Sequence, residues 1–205
     1  MRSTITLVAI AAAAAGTASA QIAITEYLYS ANFAEYVEFT NISNSPVDMA
    51  GWSYDDNSRE PGTLDLSAFG VIAPGESVII SEEPADDFIT VWGLSGVKVI
   101  GEYTNNLGRS DEINLYDAAD NLVDRLTYGD EDFPGTIRAQ DFSGNPIPGA
   151  VGNNDIAGWV LSFEGDSFGS YLSAFGDVGN PGTFVPAPAS IALLGLGGLV
   201  ARRRR

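Results

Sequence analysis

Glu26 and Glu38 are the residues whose type first invites chemistry, because two carboxyl groups flanking a bond can share the acid, base and nucleophile roles of glycoside hydrolysis. Their separation would set the mechanism, and sequence alone does not define it. Three acidic loops, Asp55-Asp56-Asn57, Asp117-Ala118-Ala119-Asp120-Asn121 and Asp130-Glu131-Asp132, offer hard oxygen donors to calcium. None has the twelve-residue spacing that ends in a bidentate Glu, so the expectation is no cofactor, with loosely bound calcium as the most these loops imply. Solvated turns whose Asp and Asn side chains bond local backbone are the competing reading, and the preferred one. Trp52, Trp92 and Trp159 could form an aromatic platform for sugar rings. Against that, Trp52 follows Gly51 and alternates with Tyr54 as a core residue does, and Trp92 meets Phe88 at i, i+4 spacing. Asn41-Ile42-Ser43 has the form of a glycosylation acceptor, a weak signal by itself.

What is missing narrows the chemistry further. The sequence has no histidine and no cysteine. Ser-His-Asp and Cys-His catalysis, His-ligated zinc or iron and the commonest general base are thereby excluded, and so is disulfide support. All 27 acidic residues lie between Gln21 and Val185, where Arg59, Lys98, Arg109, Arg125 and Arg138 are the five basic ones, a net charge of −22. A field of that sign repels nucleic acid and anionic lipid, so no nucleic-acid partner is expected.

The two ends read as addresses. Arg2 supplies a positive start, residues 5–15 an apolar run, and Ala18-Ser19-Ala20 a small-residue cleavage pattern, which places signal-peptidase cleavage between Ala20 and Gln21. At the other end, Val185-Pro186-Ala187-Pro188-Ala189-Ser190 precedes an apolar stretch at residues 191–201 that contains Ile191, Leu193, Leu194, Leu196, Leu199 and Val200. Arg202, Arg203, Arg204 and Arg205 follow. As a helix, eleven residues rise only about 16 Å, against a hydrocarbon core of about 30 Å, so a permanent anchor would be longer. The arginine block is held on the cytoplasmic side by the positive-inside bias. This tripartite tail resembles the PEP-CTERM sorting signal of diderm bacteria, with Pro186-Ala187-Pro188 in place of Pro-Glu-Pro. The resemblance implies cleavage near that motif by an exosortase after transient insertion into the inner membrane. The competing reading is a weak, unprocessed tail anchor.

About 165 residues remain between the addresses, enough for one domain with a sizeable core. Apolar residues there recur with a period of two, in short runs broken by Gly, Pro, Asn and Asp. Ile22, Ile24 and Leu28 are expected on one face of a strand, with Val37 and Phe39 on the next. Ala73-Pro74-Gly75-Glu76 predicts a type II turn into a strand at Ser77-Val78-Ile79-Ile80. A hairpin is predicted from residues 112–116 and 122–128, joined by the polar loop 117–121. Residues 84–92 form the one helical stretch, with Pro84 at its entry. Trp159, Leu161 and Phe163 alternate as a half-buried strand would, and Gly179-Asn180-Pro181-Gly182 reads as a closing turn. This pattern predicts an all-β sandwich.

Ile22-Ala23-Ile24-Thr25-Glu26, Glu35-Tyr36-Val37-Glu38-Phe39-Thr40-Asn41, Pro46-Val47-Asp48, Gly51-Trp52-Ser53-Tyr54, Ile72-Ala73-Pro74-Gly75 and Asp124-Arg125-Leu126-Thr127-Tyr128 resemble, in order, a lamin tail domain. The resemblance implies an immunoglobulin-like β-sandwich, found in nuclear lamins and in secreted or surface proteins of bacteria. In that pattern Glu26 and Glu38 sit inside strands, where they satisfy backbone or turn donors. The expected organisation is a signal peptide at 1–20, a lamin-tail-like sandwich at 21–137, further strands or a Gly/Asp-rich extension of the same domain at 138–184, and the sorting tail at 185–205. The expected function is that of a non-enzymatic protein of the cell surface or extracellular matrix, processed by signal peptidase and an exosortase, with a matrix polysaccharide or surface protein as partner. A carbohydrate- or calcium-binding adhesion module is the alternative. A hydrolase is the third option, and it requires a buried, perturbed acid pair in a cleft.

Overall fold

The computed structural model describes residues 21–185. Ala20 and the tail residues Pro186, Ala187, Pro188, Ile191, Leu193, Leu194, Leu196, Leu199, Val200, Arg202, Arg203, Arg204 and Arg205, on which the cleavage and sorting expectations fall, lie outside the described residues. Strands β1 (Ile22–Leu28), β2 (Tyr36–Asn41), β3 (Val47–Asp48), β4 (Ser53–Asp55), β5 (Leu64–Asp65), β6 (Val71–Ile72) and β7 (Ser77–Ser81) precede helix α1 (Ala85–Trp92). After it come β8 (Lys98–Ile100), β9 (Asp111–Tyr116), β10 (Leu122–Tyr128), β11 (Gly144–Pro146), β12 (Trp159–Leu161), β13 (Tyr171–Leu172) and β14 (Val178–Gly179).

One sheet has the order β12-β11-β1-β2-β7-β8 and the other β10-β9-β4-β5; β13-β14 and β3-β6 are short pairs. The fold is an all-β, immunoglobulin-like sandwich. Pairing is antiparallel except between β7 and β8, which run parallel. Parallel neighbours need a crossover, and α1 is that crossover, so the fold has a use for its helix. Pro84 leads into α1 and Gly93 ends it in the left-handed conformation, its N–H reaching back to the last turn. The predicted hairpin forms between β9 and β10, and Glu76 N–H donates to Ala73 O at 3.0 Å to close the turn before β7.

Between the sheets pack Ile24, Tyr27, Val37, Phe39, Val78 and Ile80 from the first and Tyr54, Ile113, Leu115, Leu126 and Tyr128 from the second. A second cluster lies behind the six-stranded sheet, where Leu28, Tyr36 and Ile79 meet Phe88 and Trp92 of α1. That sheet is therefore covered on both faces, and every residue of β1 and β2 is buried.

Two strand expectations are corrected. Leu28 does not share a face with Ile22 and Ile24: Ile24 pairs with Phe39 but Glu26 with Glu38, so β1 carries one extra residue, Thr25, in a bulge. The bulge shifts the alternation, sending Tyr27 into the main core and Leu28 to the helix side. Trp159, Leu161 and Phe163 do not alternate either: Trp159 is buried, Leu161 is 37% exposed and Phe163 63% exposed. β12 is an edge strand of only three residues, and beyond it Ser162 turns inward to bond Ser143 and Asn145, which displaces the apolar side chains outward.

Candidate functional site

The bulge at Thr25 places Thr25 and Glu26 together on the outer face of the six-stranded sheet, directly against Glu38 and Thr40 of β2. Glu26 and Glu38 are opposite each other in register, and both are fully buried. Thr25 Oγ1 donates to Glu38 Oε1 at 2.6 Å and Gly182 N–H to Glu38 Oε2 at 2.7 Å. Glu26 Oε1 accepts from Asn180 N–H at 2.8 Å and from Ser143 Oγ, while Glu26 Oε2 has no partner. Hydroxyl contacts spread the network sideways, Thr40 to Ser77 at 2.7 Å and Ser143 to Ser162 at 2.6 Å. Hydroxyls both donate and accept, so they can follow either protonation state of a carboxyl. Burial pushes the Glu26 carboxyl up to about 8, with the neighbouring Glu38 adding to it, while Ser143 and Asn180 pull it down. Burial also raises Glu38, against the donors Thr25 and Gly182. At neutral pH this is a pair holding at least one proton, since two like charges in one dry site do not both ionise readily.

Gly179 is the residue that permits this closeness. A Cβ there would lie 2.4 Å from Tyr36 Oη and 2.8 Å from Glu26 Oε1. Gly179→Ala is expected to destabilise the domain by about 1–3 kcal/mol, as overpacking of a filled interior does; an unchanged thermal midpoint would contradict it.

The other sequence candidates fall into two groups. Asp117, Asp55 and Asp130 serve local structure: Asp117 Oδ1 accepts from Ala119 N–H at 2.8 Å and Asn121 N–H at 3.0 Å, and Asp55 Oδ2 from Glu60 N–H at 2.7 Å. Asp130 and Glu131 pair with Arg109. Among the described residues no three acidic side chains converge on a point where a metal ion would sit. Trp52, Trp92 and Trp159 are all buried in different parts of the core and form no platform. Asn41 is also buried, with its Nδ2 donating to Ser45 O and Ile72 O, so it is not presented for glycosylation.

A surface feature is silent in the sequence. Arg59 grips Glu112 through two hydrogen bonds of 2.7 and 2.5 Å, holding the Glu112 carboxyl down to about 2. Beside them lie two shallow depressions of about 320 and 560 Å³, which share Thr127 and Asp132. Asn57, Arg59 and Glu112 line the first, and Phe133, Pro134 and Asn154 the second. Phe133 is partly exposed. The residues come from four separate segments, and only the Glu112 and Thr127 pairing across β9 and β10 hints at their meeting.

Neither patch assembles a reaction centre. Glu26 and Glu38 are sealed from solvent, and neither lines these depressions or one of about 460 Å³ bounded by Glu82, Pro84 and Tyr103. A general acid must reach its substrate, and these do not. The sandwich is that of a structural or binding domain. The lamin tail domain family model matches residues 15–130, and the chain belongs to that family, whose members are immunoglobulin-like and non-catalytic. Neither a curated protein nor a solved structure matches the chain.

Proposed function

We propose that this chain is an exported, non-enzymatic structural or binding domain, delivered to the cell surface or extracellular matrix of a diderm bacterium by an exosortase that acts at Pro186-Ala187-Pro188. The observation that carries the reading is the pairing of two address-like ends around a lamin tail domain whose facing carboxylate pair, Glu26 and Glu38, is buried. Signal peptidase removes residues 1–20. Residues 191–201 enter the inner membrane transiently, with Arg202, Arg203, Arg204 and Arg205 retained on the cytoplasmic side. The partner on the outside is a matrix polysaccharide or another surface protein, and nucleic acid is repelled by the charge of −22.

Intact-mass analysis of the native protein tests this. The expected species begins at Gln21 and ends near Pro186-Ala187-Pro188; a dominant species ending in Arg205 would refute processing and leave a tail-anchored domain. A second reading, glycan binding, is favoured by one observation: partly exposed Phe133 borders a depression that Thr127, Asp132 and Asn154 line together with Pro134 and Ile156. An aromatic face beside convergent donors and acceptors is how a sugar ring is held.

A further inference from the structure

The end of the described chain lies across the outer face of the six-stranded sheet, where its grip depends on two carboxyl groups. Upstream it is fastened by other means: Tyr171 Oη donates to Trp92 O at 2.9 Å, Ala174 N–H to Val91 O at 3.0 Å and Val178 N–H to Asp141 O at 2.9 Å. Val178 is buried in addition. Residues 179–183 are different. They carry no large apolar side chain, and their bonds to the sheet include Asn180 N–H to Glu26 and Gly182 N–H to Glu38. The segment lies directly on both carboxyls, so lifting it is a short route by which water reaches them.

The geometry points to a proton-held clasp: residues 179–183 stay seated while Glu26 and Glu38 keep at least one proton between them, and lift off the sheet once both are ionised. Closed, the site offers two facing carboxylates no counter-ion. The ion pairs among the described residues are Arg59 and Arg125 with Glu112, Lys98 with Glu76, and Arg109 with Asp130 and Glu131, while Arg138 donates to Tyr29 Oη. The other titratable groups facing the pair are Tyr36 on β2 and Tyr171 on β13. Burial and the two glutamates push both phenols up, Tyr171 to about 12, so neither ionises in the same range. From β7 the pair is faced by the Ser77 hydroxyl. Opened, the carboxylates are hydrated and ordinary. The Asn180 and Gly182 N–H groups favour the ionised carboxyls, but burial outweighs them, so the closed form binds more protons than the open one above the usual carboxylate range and closure weakens as pH rises towards about 8. The clasp goes beyond the proposed function and stands whether or not the tail is processed. It sits just before Pro186, so its opening would free the stretch of chain that leads into the tail.

Hydrogen exchange read by mass spectrometry on the full-length chain in mild detergent, corrected for the intrinsic effect of pH, tests the clasp. Protection in the peptide carrying residues 179–185 is expected to fall by up to about tenfold per pH unit for each proton released, between about pH 5 and pH 8. Peptides from β9 and β10 should hold their protection. In the double variant Glu26→Gln, Glu38→Gln the clasp peptide should lose its pH dependence, and Glu38→Gln alone should reduce it if the double variant does not fold. A flat profile in the unsubstituted chain, an undiminished slope in the variants, or loss of protection in all peptides together would each overturn the clasp.

Discussion

A chain ending at Asp130 is expected to lose cooperative unfolding, whereas residues 21–185 are expected to unfold in one transition. The family match ends at residue 130, but the sheet does not. β11 pairs with β1 and β12 with β11, and Trp159 of β12 packs its ring 5.5 Å from Tyr27, which in turn lies 4.5 Å from Tyr128. Removing residues 131–185 opens this aromatic contact and takes Ala139, Ile156, Trp159 and Val178 from the core. Loss of one large buried aromatic costs about 3–5 kcal/mol, against a total stability of roughly 5–15 kcal/mol. The truncation also strips Ser143, Asn180 and Gly182 from Glu26 and Glu38, leaving two interior carboxyls without those donors. Circular dichroism melts of the two chains check this; a sharp, complete transition in the shorter one would overturn it.

That dependence explains how much is legible along the sequence. The β9 and β10 hairpin and α1 are legible because each is specified locally: alternation and a polar loop in one case, Pro84 and the Phe88 and Trp92 spacing in the other. The phase slip in β1 is written as Thr25-Glu26, two polar residues in succession within an alternating run. Its consequence, Leu28 facing the helix, becomes visible only with α1 in place over the outer face. The error at Phe163 has the opposite cause. Trp159, Leu161 and Phe163 look like a strand, but an edge strand of three residues imposes little on the chain beyond it, and Ser162 finds a better partner in Ser143. The carboxylate pair is half legible. Glu26 and Glu38 read as strand residues that satisfy backbone donors, and they do accept from Asn180 and Gly182, which lie more than 140 positions away. No local pattern announces such a donor. The groove at Thr127 and Asp132 is long-range in the same way, because Asn57 and Asn154 approach it from loops far apart in sequence.

Domain stability is expected to fall by a few kcal/mol between about pH 5 and pH 8, in the direction opposite to that of a fold held by ion-paired carboxylates. Three buried acids set the sign. Burial pushes Glu35 up to about 7, against the Leu107 N–H it accepts at 2.9 Å. Burial likewise lifts Asp124 to about 6, even though Ile24 N–H donates to it at 2.9 Å, and Glu26 rises to about 8. Each keeps its proton longer folded than unfolded, so the native state binds more protons above the ordinary carboxylate range. Their contribution is complete below about pH 4 and is lost as pH climbs through 6, 7 and 8. Glu112, held down to about 2 chiefly by Arg59, acts the other way: its contribution is present above the usual carboxylate range and is lost as pH falls towards 2. Stability should therefore peak in mildly acidic solution. At about 1.4 kcal/mol per unit, Glu35 alone accounts for roughly 3 kcal/mol of the decline. The rising negative charge of a −22 domain works in the same direction. For a domain of this size the thermal midpoint at pH 8 should lie on the order of 10 °C below that at pH 5. Glu35→Gln should flatten the profile near pH 7 and leave the clasp's exchange behaviour intact, since Glu35 holds the loop at Tyr103 and Leu107 and not residues 179–183. Melts recorded from pH 4 to pH 9 decide the matter: a midpoint that rises towards pH 8 would mean that these carboxyls are ionised and compensated in the native fold.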